Sequence, residues 1–174
     1  MMISVTFTAS QNGIIRHKNT IPWENFNELR CDEFTRASCS RLLVLGRHSF
    51  EALKIKLECD LLVLSTTKTT SEGSIHFAAS LAEAMEIGRA GGYQEMVISG
   101  GRQLLIEAML LADVIYKSTI LVEPMGNVYA PTIPTNFQLI WVRNYKGNPS
   151  HSYQTYTLDP YTKSKLSSTG LLKL

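Results

Sequence analysis

Apolar and polar residues alternate in the opening stretch "ISVTFTA", where Ile3, Val5 and Phe7 interleave with Ser4, Thr6 and Thr8. A period of two is that of a strand with one face more buried than the other. Three later runs, "LLVLG" (42–46), "LLVLS" (61–65) and "EMVIS" (95–99), are short and almost continuously apolar. Such runs suit central strands covered on both faces. "SLAEAMEIGRAGG" (80–92) opens on Ser80 and Glu83 in capping-box spacing, repeats apolar residues at Leu81, Ala84 and Met85, and stops at Gly91 and Gly92. This pattern predicts a helix marked at both ends. "RQLLIEAMLLA" (102–112) reads as another, and residues 26–37 and 48–54 supply two more candidates. Alternating strands and helices imply a mainly parallel sheet with helices on both faces.

The last third changes character. Residues 114–122, 137–145 and 151–158 are strand-like with no helix between them, and "YKGNPS" reads as the turn of a closing hairpin. The sheet is therefore expected to end antiparallel. Beyond Pro160 the sequence "YTKSKLSSTGLLKL" is rich in Ser, Thr and Lys, the composition of a mobile tail.

Composition narrows the function. With 174 residues, 44% hydrophobic and 18% charged, the chain has the balance of one globular domain. A net charge of +2, with Lys and Arg scattered, gives no footprint for nucleic acid or anionic membrane and points to a small-molecule partner. Cys31, Cys39 and Cys59 are odd in number and lack C-x-x-C spacing, so they suggest neither a disulfide framework nor a metal site. Reduced, buried thiols in a cytoplasmic monomer are the expectation.

Candidate chemistry gathers where apolar runs end. "VISGGRQLL" takes a strand through Gly100 and Gly101 into a helix, a turn at which backbone amides and a helix N-terminus can receive a pyrophosphate. "LGRHSF" offers Gly46, Arg47, His48 and Ser49 at a second such turn, and "LSTTK" offers Ser65, Thr66 and Lys68 at a third. Each alone is better read as an ordinary solvated turn or surface pair. Together they are what a parallel sheet collects along its carboxyl edge. Elsewhere, "NTIPWENFNEL" sets Trp23 after Pro22 and offers Glu28 near a helix start. Glu28 reads either as a dipole partner or, in a pocket with Phe7, Leu29 and Phe34, as an acid with a raised pKa.

Taken together, these residues resemble the dihydrofolate reductase family from Met2 to about Leu158. "MISVTFTASQNGIIRHKNTIPW" is similar to that family's first strand and active-site loop, and "LVLGRHSFEAL" to its cofactor turn and following helix. "VISGGRQLL" is similar to its Gly-Gly segment, a cis peptide in the family, while "EPMGNVYAPTIP" and "SHSYQTYTL" match a later loop and the closing hairpin. The resemblance implies one α/β domain over residues 1–159, a mostly parallel sheet of roughly eight strands flanked by helices and ending in an antiparallel hairpin. Residues 160–174 form the tail.

The resemblance also implies an NADPH-dependent reduction of dihydrofolate, with Glu28 as the active-site acid supported by Trp23 and by the Ser118 hydroxyl. Phe7, Thr8, Leu29, Phe34, Leu53 and Ser99 carry over as substrate contacts. Ile15, Asn19, Ile21, Gly46, Arg47, His48, Ser49, Ser65, Thr66, Lys68, Gly100, Gly101, Arg102 and Gln103 carry over as cofactor contacts. Arg47 and the "STT" hydroxyls stand where the 2′-phosphate would be read.

Departures accompany the match. The Arg that grips the folate tail's α-carboxylate should fall at Cys59 or Asp60, neither of which can make a bidentate carboxylate bond. Lys54 and Lys56 offer only flexible point charges. The segment between Trp23 and Gly46 is slightly longer than in many bacterial members, which leaves Asp32 and Glu33 as alternative acids. Arg16 stands where Gly is frequent, Arg102 where a third Gly is common, Leu105 where Tyr is frequent, and Asn127 where Asp is usual. Three readings follow: a divergent reductase with antifolate tolerance such as to trimethoprim, a reductase of pteridines lacking the glutamate tail, or a non-catalytic dinucleotide-binding protein.

Overall fold

The computed structural model describes residues 1–18, 20–22, 41–52, 59–67 and 75–160. The expected helix at 26–37 and the tail at 161–174 lie outside these residues.

Strand β1 (Met2–Ser10) is followed by β2 (Ile14–Arg16), β3 (Arg41–Gly46), helix α1 (Arg47–Glu51), β4 (Asp60–Leu64) and β5 (Ile75–Ala78). Helix α2 (Leu81–Ala90), β6 (Glu95–Ser99), helix α3 (Arg102–Met109) and β7 (Val114–Ile120) complete the alternating part. Then come β8 (Val128–Tyr129), β9 (Phe137–Tyr145) and β10 (His151–Leu158). Eight strands form one sheet in the order β5-β4-β3-β6-β1-β7-β10-β9. The pairings from β5 to β7 are parallel, and β10 runs antiparallel to both neighbours. The expected α/β architecture and antiparallel ending are thus present.

Three strands were not apparent in the sequence pattern. β5 is the four-residue end of the sheet, and β2 pairs with two-residue β8 in a separate ribbon. Segments this short carry too few positions to display a period.

The alternation of β1 also needs refinement. Ile3, Val5, Phe7 and Ala9 enter the main core with Ile98, Ile115 and the inner faces of α2 and α3. On the opposite face Ser4 is fully buried, because its hydroxyl donates to Glu95 Oε1 at 2.6 Å. Arg41 Nε reaches Glu95 Oε2 at 2.7 Å, so a buried carboxylate with two donors spans β1, β6 and β3 at their amino ends. A smaller cluster of Leu43, Leu45, Leu61 and Val63 packs with Phe50 of α1 on the other side of β3 and β4.

Helix α2 begins at the expected cap: Ser80 Oγ accepts from Glu83 N at 3.2 Å. Glu83 Oε2 in return accepts from Ala79 N at 2.7 Å, closing a capping box displaced by one residue. Helix α3 stops earlier than expected, with Leu110 at its end 78% exposed. No helix among the described residues is long and apolar enough to cross a membrane.

Candidate active site

Sheet order brings together turns that are far apart in sequence. From β5 inward, the carboxyl ends met are Ser65 after β4, Gly46 after β3, Ser99 and Gly100 after β6, then Thr8 on β1 and Ser118 on β7. The chain leaves β1 to build β3, β4 and β5 outward, then returns to set β6 against β1 and β7 beyond it. Ligands enter open α/β sheets at such a reversal.

The glycine turns touch. Gly100 has φ +156°, and a Cβ there would lie 3.0 Å from Leu104 Cδ2 and 3.4 Å from Gly46 N. Its lack of a side chain permits this close approach of the β3 and β6 exits. Gly101, the N-cap of α3, has no side-chain cap, and a Cβ there would meet no atom within 4 Å. Packing therefore does not demand glycine at 101; open space lies before the first-turn amides of α3, where an anion fits. Among the described residues the cis peptide is Asn148–Pro149, so Gly100–Gly101 is trans, a departure from the family pattern.

Basic side chains and hydroxyls flank this space. Arg47 and His48, both exposed on α1, lie 3.9 and 3.6 Å from the two oxygens of Glu51. Exposed pairs of this kind are worth about 0–1 kcal/mol, so turning to a phosphate costs little. Ser49 is half-buried, and Thr66 is exposed. Ser65 is buried, and its Oγ lies 3.2 Å from Thr67 Oγ1 and accepts from Thr67 N at 3.3 Å, which shapes the turn after β4. Arg102 and Gln103 are exposed on α3, with Gln103 Nε2 donating to Glu107 Oε1 at 2.9 Å. Ile15 packs against the main core, and Ile21 is exposed.

On the substrate side Thr8 and Ser118 are direct cross-strand partners. Thr6 and Tyr116 are paired two residues earlier and share their face, a consequence of period two that picks them out as additional lining candidates. Phe7 lies on the opposite face, 5% exposed within the main core. Leu105 is likewise fully buried in the core; Leu104 is the residue packed against the glycine turns. Trp23, Glu28, Leu29, Phe34, Leu53, Asn19 and Lys68, with the alternatives Asp32, Glu33, Lys54 and Lys56, lie outside the described residues, as do Cys31 and Cys39.

The loop after β1 is tied to a distant segment. Gln11 N donates to Val122 O at 3.0 Å, Asn12 Nδ2 to Pro124 O at 3.0 Å, and Ala130 N to Gly13 O at 2.8 Å. Lys18, held at φ 51°, donates its N–H to Asn127 Oδ1 at 3.0 Å. A Cβ on Gly126 would collide with Ile14 Cγ2, so glycine is needed there for the approach. Nothing local in the sequence announces that requirement, because the colliding atoms belong to β2.

Cys59 and Asp60 open β4 at the amino edge. Asp60 Oδ2 accepts from the Tyr93 hydroxyl at 2.8 Å. Burial, that hydrogen bond and the Asp60 charge push the Tyr93 pKa up to about 12. Burial first and Asp60 second raise the pKa of the half-buried Cys59 thiol.

These strand-to-helix turns, aligned along one edge of a mostly parallel sheet, define an α/β protein of the class that takes ligands at the carboxyl ends of its strands. The dihydrofolate reductase family profile matches residues 2–162, and the chain belongs to that family. It is thereby an oxidoreductase of folate metabolism. Dihydrofolate reductase type 5 of Escherichia coli is 27% identical over 157 residues, covering 90% of this chain and 98% of the relative. Dihydrofolate reductase of Bacillus subtilis (strain 168) is 26% identical over 171 residues, covering 97% and 99%. Dihydrofolate reductase from Enterococcus faecalis, solved with NADP(H) and RAB-propyl, superimposes with a TM-score of 0.73 at 23% identity, over 90% of this chain and 96% of that one.

Proposed function

We propose that this protein reduces 7,8-dihydrofolate to tetrahydrofolate with NADPH, and that Glu28 is its active-site acid. The observation that carries this reading is the order of exits along the sheet. Those suited to phosphate, on β4, β3 and β6, adjoin the Thr8–Ser118 pair on β1 and β7. A dinucleotide lying across the first group brings its reactive end beside the second.

The residues fit the cofactor. The open space at Gly101, the uncapped α3 N-terminus, the guanidinium groups of Arg47 and Arg102 and the imidazole of His48 suit a pyrophosphate, with Gly46, Ser49, Gly100 and Gln103 around it. Ser65, Thr66 and Lys68 suit the 2′-phosphate, and Ile15, Asn19 and Ile21 the nicotinamide end. NADPH, when bound, supplies the hydride. Trp23, Leu29, Phe34 and Leu53 exclude water from the pterin, with Ser99 at the β6 exit. Phe7 supports this pocket from the core, while Thr8 presents its hydroxyl. Glu28 holds the pterin's amino and ring N–H groups and biases protonation of the nitrogen next to the carbon that receives hydride; Ser118 orients that carboxylate.

A second reading has its own observation. Where a tail-binding Arg is expected, Cys59 is half-buried and the Asp60 carboxylate is engaged by Tyr93. This favours a pteridine without the glutamate tail as a competing substrate.

The test is NADPH oxidation by the purified chain with dihydrofolate and with a tailless dihydropterin, beside Glu28→Gln and Glu28→Asp. The expected result is turnover of dihydrofolate that falls about a hundredfold or more in Gln and largely survives in Asp. Equal efficiency on both substrates would favour the second reading. NADPH binding without turnover of either would leave a non-catalytic dinucleotide-binding protein.

A further inference from the structure

The sheet face turned away from Thr8 and Ser118 carries an unpaired charge at its β7-β10-β9 end. Phe7 of β1 pairs directly with Lys117 of β7, Lys117 with Gln154 of β10, and Gln154 with Val142 of β9. Partners in register share a face, so these four side chains stand in one row across the strands. No residue two positions away on any of the four strands is charged, and neither is any residue from 128 to 142. Asp113 and Asp159 belong to the amino edge, where they accept from Ile3 N at 3.0 Å and Gln138 Nε2 at 2.9 Å. Helix α2 packs chiefly on β4 and β5, and α3 on β6 and β1, which leaves the far end of this face beyond both helices.

The polar groups in the row lack partners of their own. Lys117 is half-buried, and its ammonium makes no ion pair or hydrogen bond among the described residues. Burial lowers its pKa, and no neighbouring carboxylate opposes that effect. Thr119 Oγ1 donates to Gln154 Oε1 at 3.2 Å, which engages the acceptor end of that amide and leaves Nε2 without a partner among the described residues. Tyr156, two residues along β10 on the same face, is half-buried with an equally unpartnered hydroxyl. Burial raises its pKa, so the phenol stays a neutral donor. Beside these donors Val142 is 45% exposed and Leu139, the partner of Tyr156, is 49% exposed.

We propose that this row binds a small monocarboxylate with an apolar body. One carboxylate oxygen is held by the Lys117 ammonium and the other by Gln154 Nε2 or the Tyr156 hydroxyl, with the apolar part lying against Val142 and Leu139. Charge decides the class of ligand. A half-buried ammonium with no counter-charge is costly, and an anion that shares the desolvated position relieves that cost. A single cation flanked by neutral donors balances one negative charge, whereas a phosphate dianion would need a second. The exposed Val and Leu give no advantage to a bare ion but reward an acid that carries hydrocarbon. Because the row lies on the face opposite Thr8 and Ser118, the proposal stands independently of the reductase reading.

The experiment titrates benzoate, with inorganic phosphate for comparison, into the isotope-labelled full chain and follows two signals by NMR: the Gln154 side-chain amide and the pH titration of Lys117 Cε. The expected result is a saturable movement of the Gln154 amide and a Lys117 pKa that rises when benzoate binds, since the anion favours the charged form. Phosphate should bind at least about tenfold more weakly. Lys117→Met should abolish the Gln154 response and Lys117→Arg should keep it, with thermal melts showing both variants folded. No saturable movement of Gln154, a Lys117 titration that benzoate leaves in place, or an equal response in Lys117→Met would each overturn the proposal. Phosphate binding as tightly as benzoate would overturn it too, because the row would then be a bare charge rather than a carboxylate site.

Discussion

Removing the Arg41 guanidinium tests what holds the amino ends of the central strands together. Glu95 is 4% exposed, and its two oxygens are served by Ser4 Oγ at 2.6 Å and Arg41 Nε at 2.7 Å. Arg41→Ala leaves a buried carboxylate with one neutral donor. Breaking a buried ion pair by deleting one partner costs about 3–5 kcal/mol. The Arg41 side chain is 40% exposed, however, so water can enter in its place and the expected loss falls to about 2–3 kcal/mol. In a chain of this length that lowers Tm by about 4–12 °C. Urea unfolding should show a lower midpoint at unchanged m-value, and Glu95→Gln, which keeps size and an acceptor, should lose less. The reductase assay should change little, because the pair lies at the edge opposite the candidate site. An Arg41→Ala variant within about 0.5 kcal/mol of wild type would refute the reasoning, leaving Ser4 and water as the groups that stabilise Glu95.

Further outcomes follow from the same geometry. Gly101→Ala should leave stability within about 0.5 kcal/mol of wild type and weaken NADPH binding about tenfold, whereas Gly100→Ala should destabilise the fold itself by about 1–2 kcal/mol. Titration calorimetry beside thermal melts separates the two. Asn127→Ala removes the acceptor for Lys18 N and should lower kcat several-fold, while Asn127→Asp restores the acceptor and turnover; hydrogen exchange at Lys18 reports the bond directly. Burial lowers the pKa of Lys117, which lies between Phe7 and Gln154 in the register. The unfolded chain then binds that proton more tightly, so charge on Lys117 costs stability below its folded pKa and ceases to do so above its unfolded one. Lys117→Met should raise Tm at neutral pH, with the gain fading as pH rises from the lowered folded pKa and gone above the ordinary lysine value of about 10.4. The substituted pocket should bind trimethoprim more weakly than an ordinary bacterial enzyme does, and equal inhibition of the two would remove that expectation.

Much of this was legible in the sequence because period and punctuation are local. Three apolar runs, the Ser80 cap and the glycine exits each identify themselves within about ten residues. What the sequence lacked was adjacency. That Gly46 lies against Gly100, or that Gly126 must be bare to pass Ile14, depends on strand order and on loops folding back across the chain. Phe7 shows the same limit at smaller scale. Membership of an apolar stripe placed it in a strand on the face opposite Thr8, but the register with β7 was needed to bring Ser118 onto the Thr8 face. The order of motifs supplied the family because a family fixes topology in advance, something composition and period do not do.

The position of β1 also bears on how the protein comes to be made. Met2 pairs with Glu95, and Ser4 with both Val97 and Val114, so this strand has neither sheet neighbour until a long stretch of later chain has left the ribosome. Translation therefore holds Ile3, Val5 and Phe7 unpaired and apolar for seconds, at about 5–20 residues per second, while later strands are synthesised. The candidate site inherits that delay. Thr8 acquires Ser118, and the loop after β1 acquires its ties at Val122 to Ala130, only after those later segments have been synthesised. A chain released early by a stop codon before β7 would expose the hydrophobic strand without the partners that cover it, and is a natural substrate for chaperones and proteases.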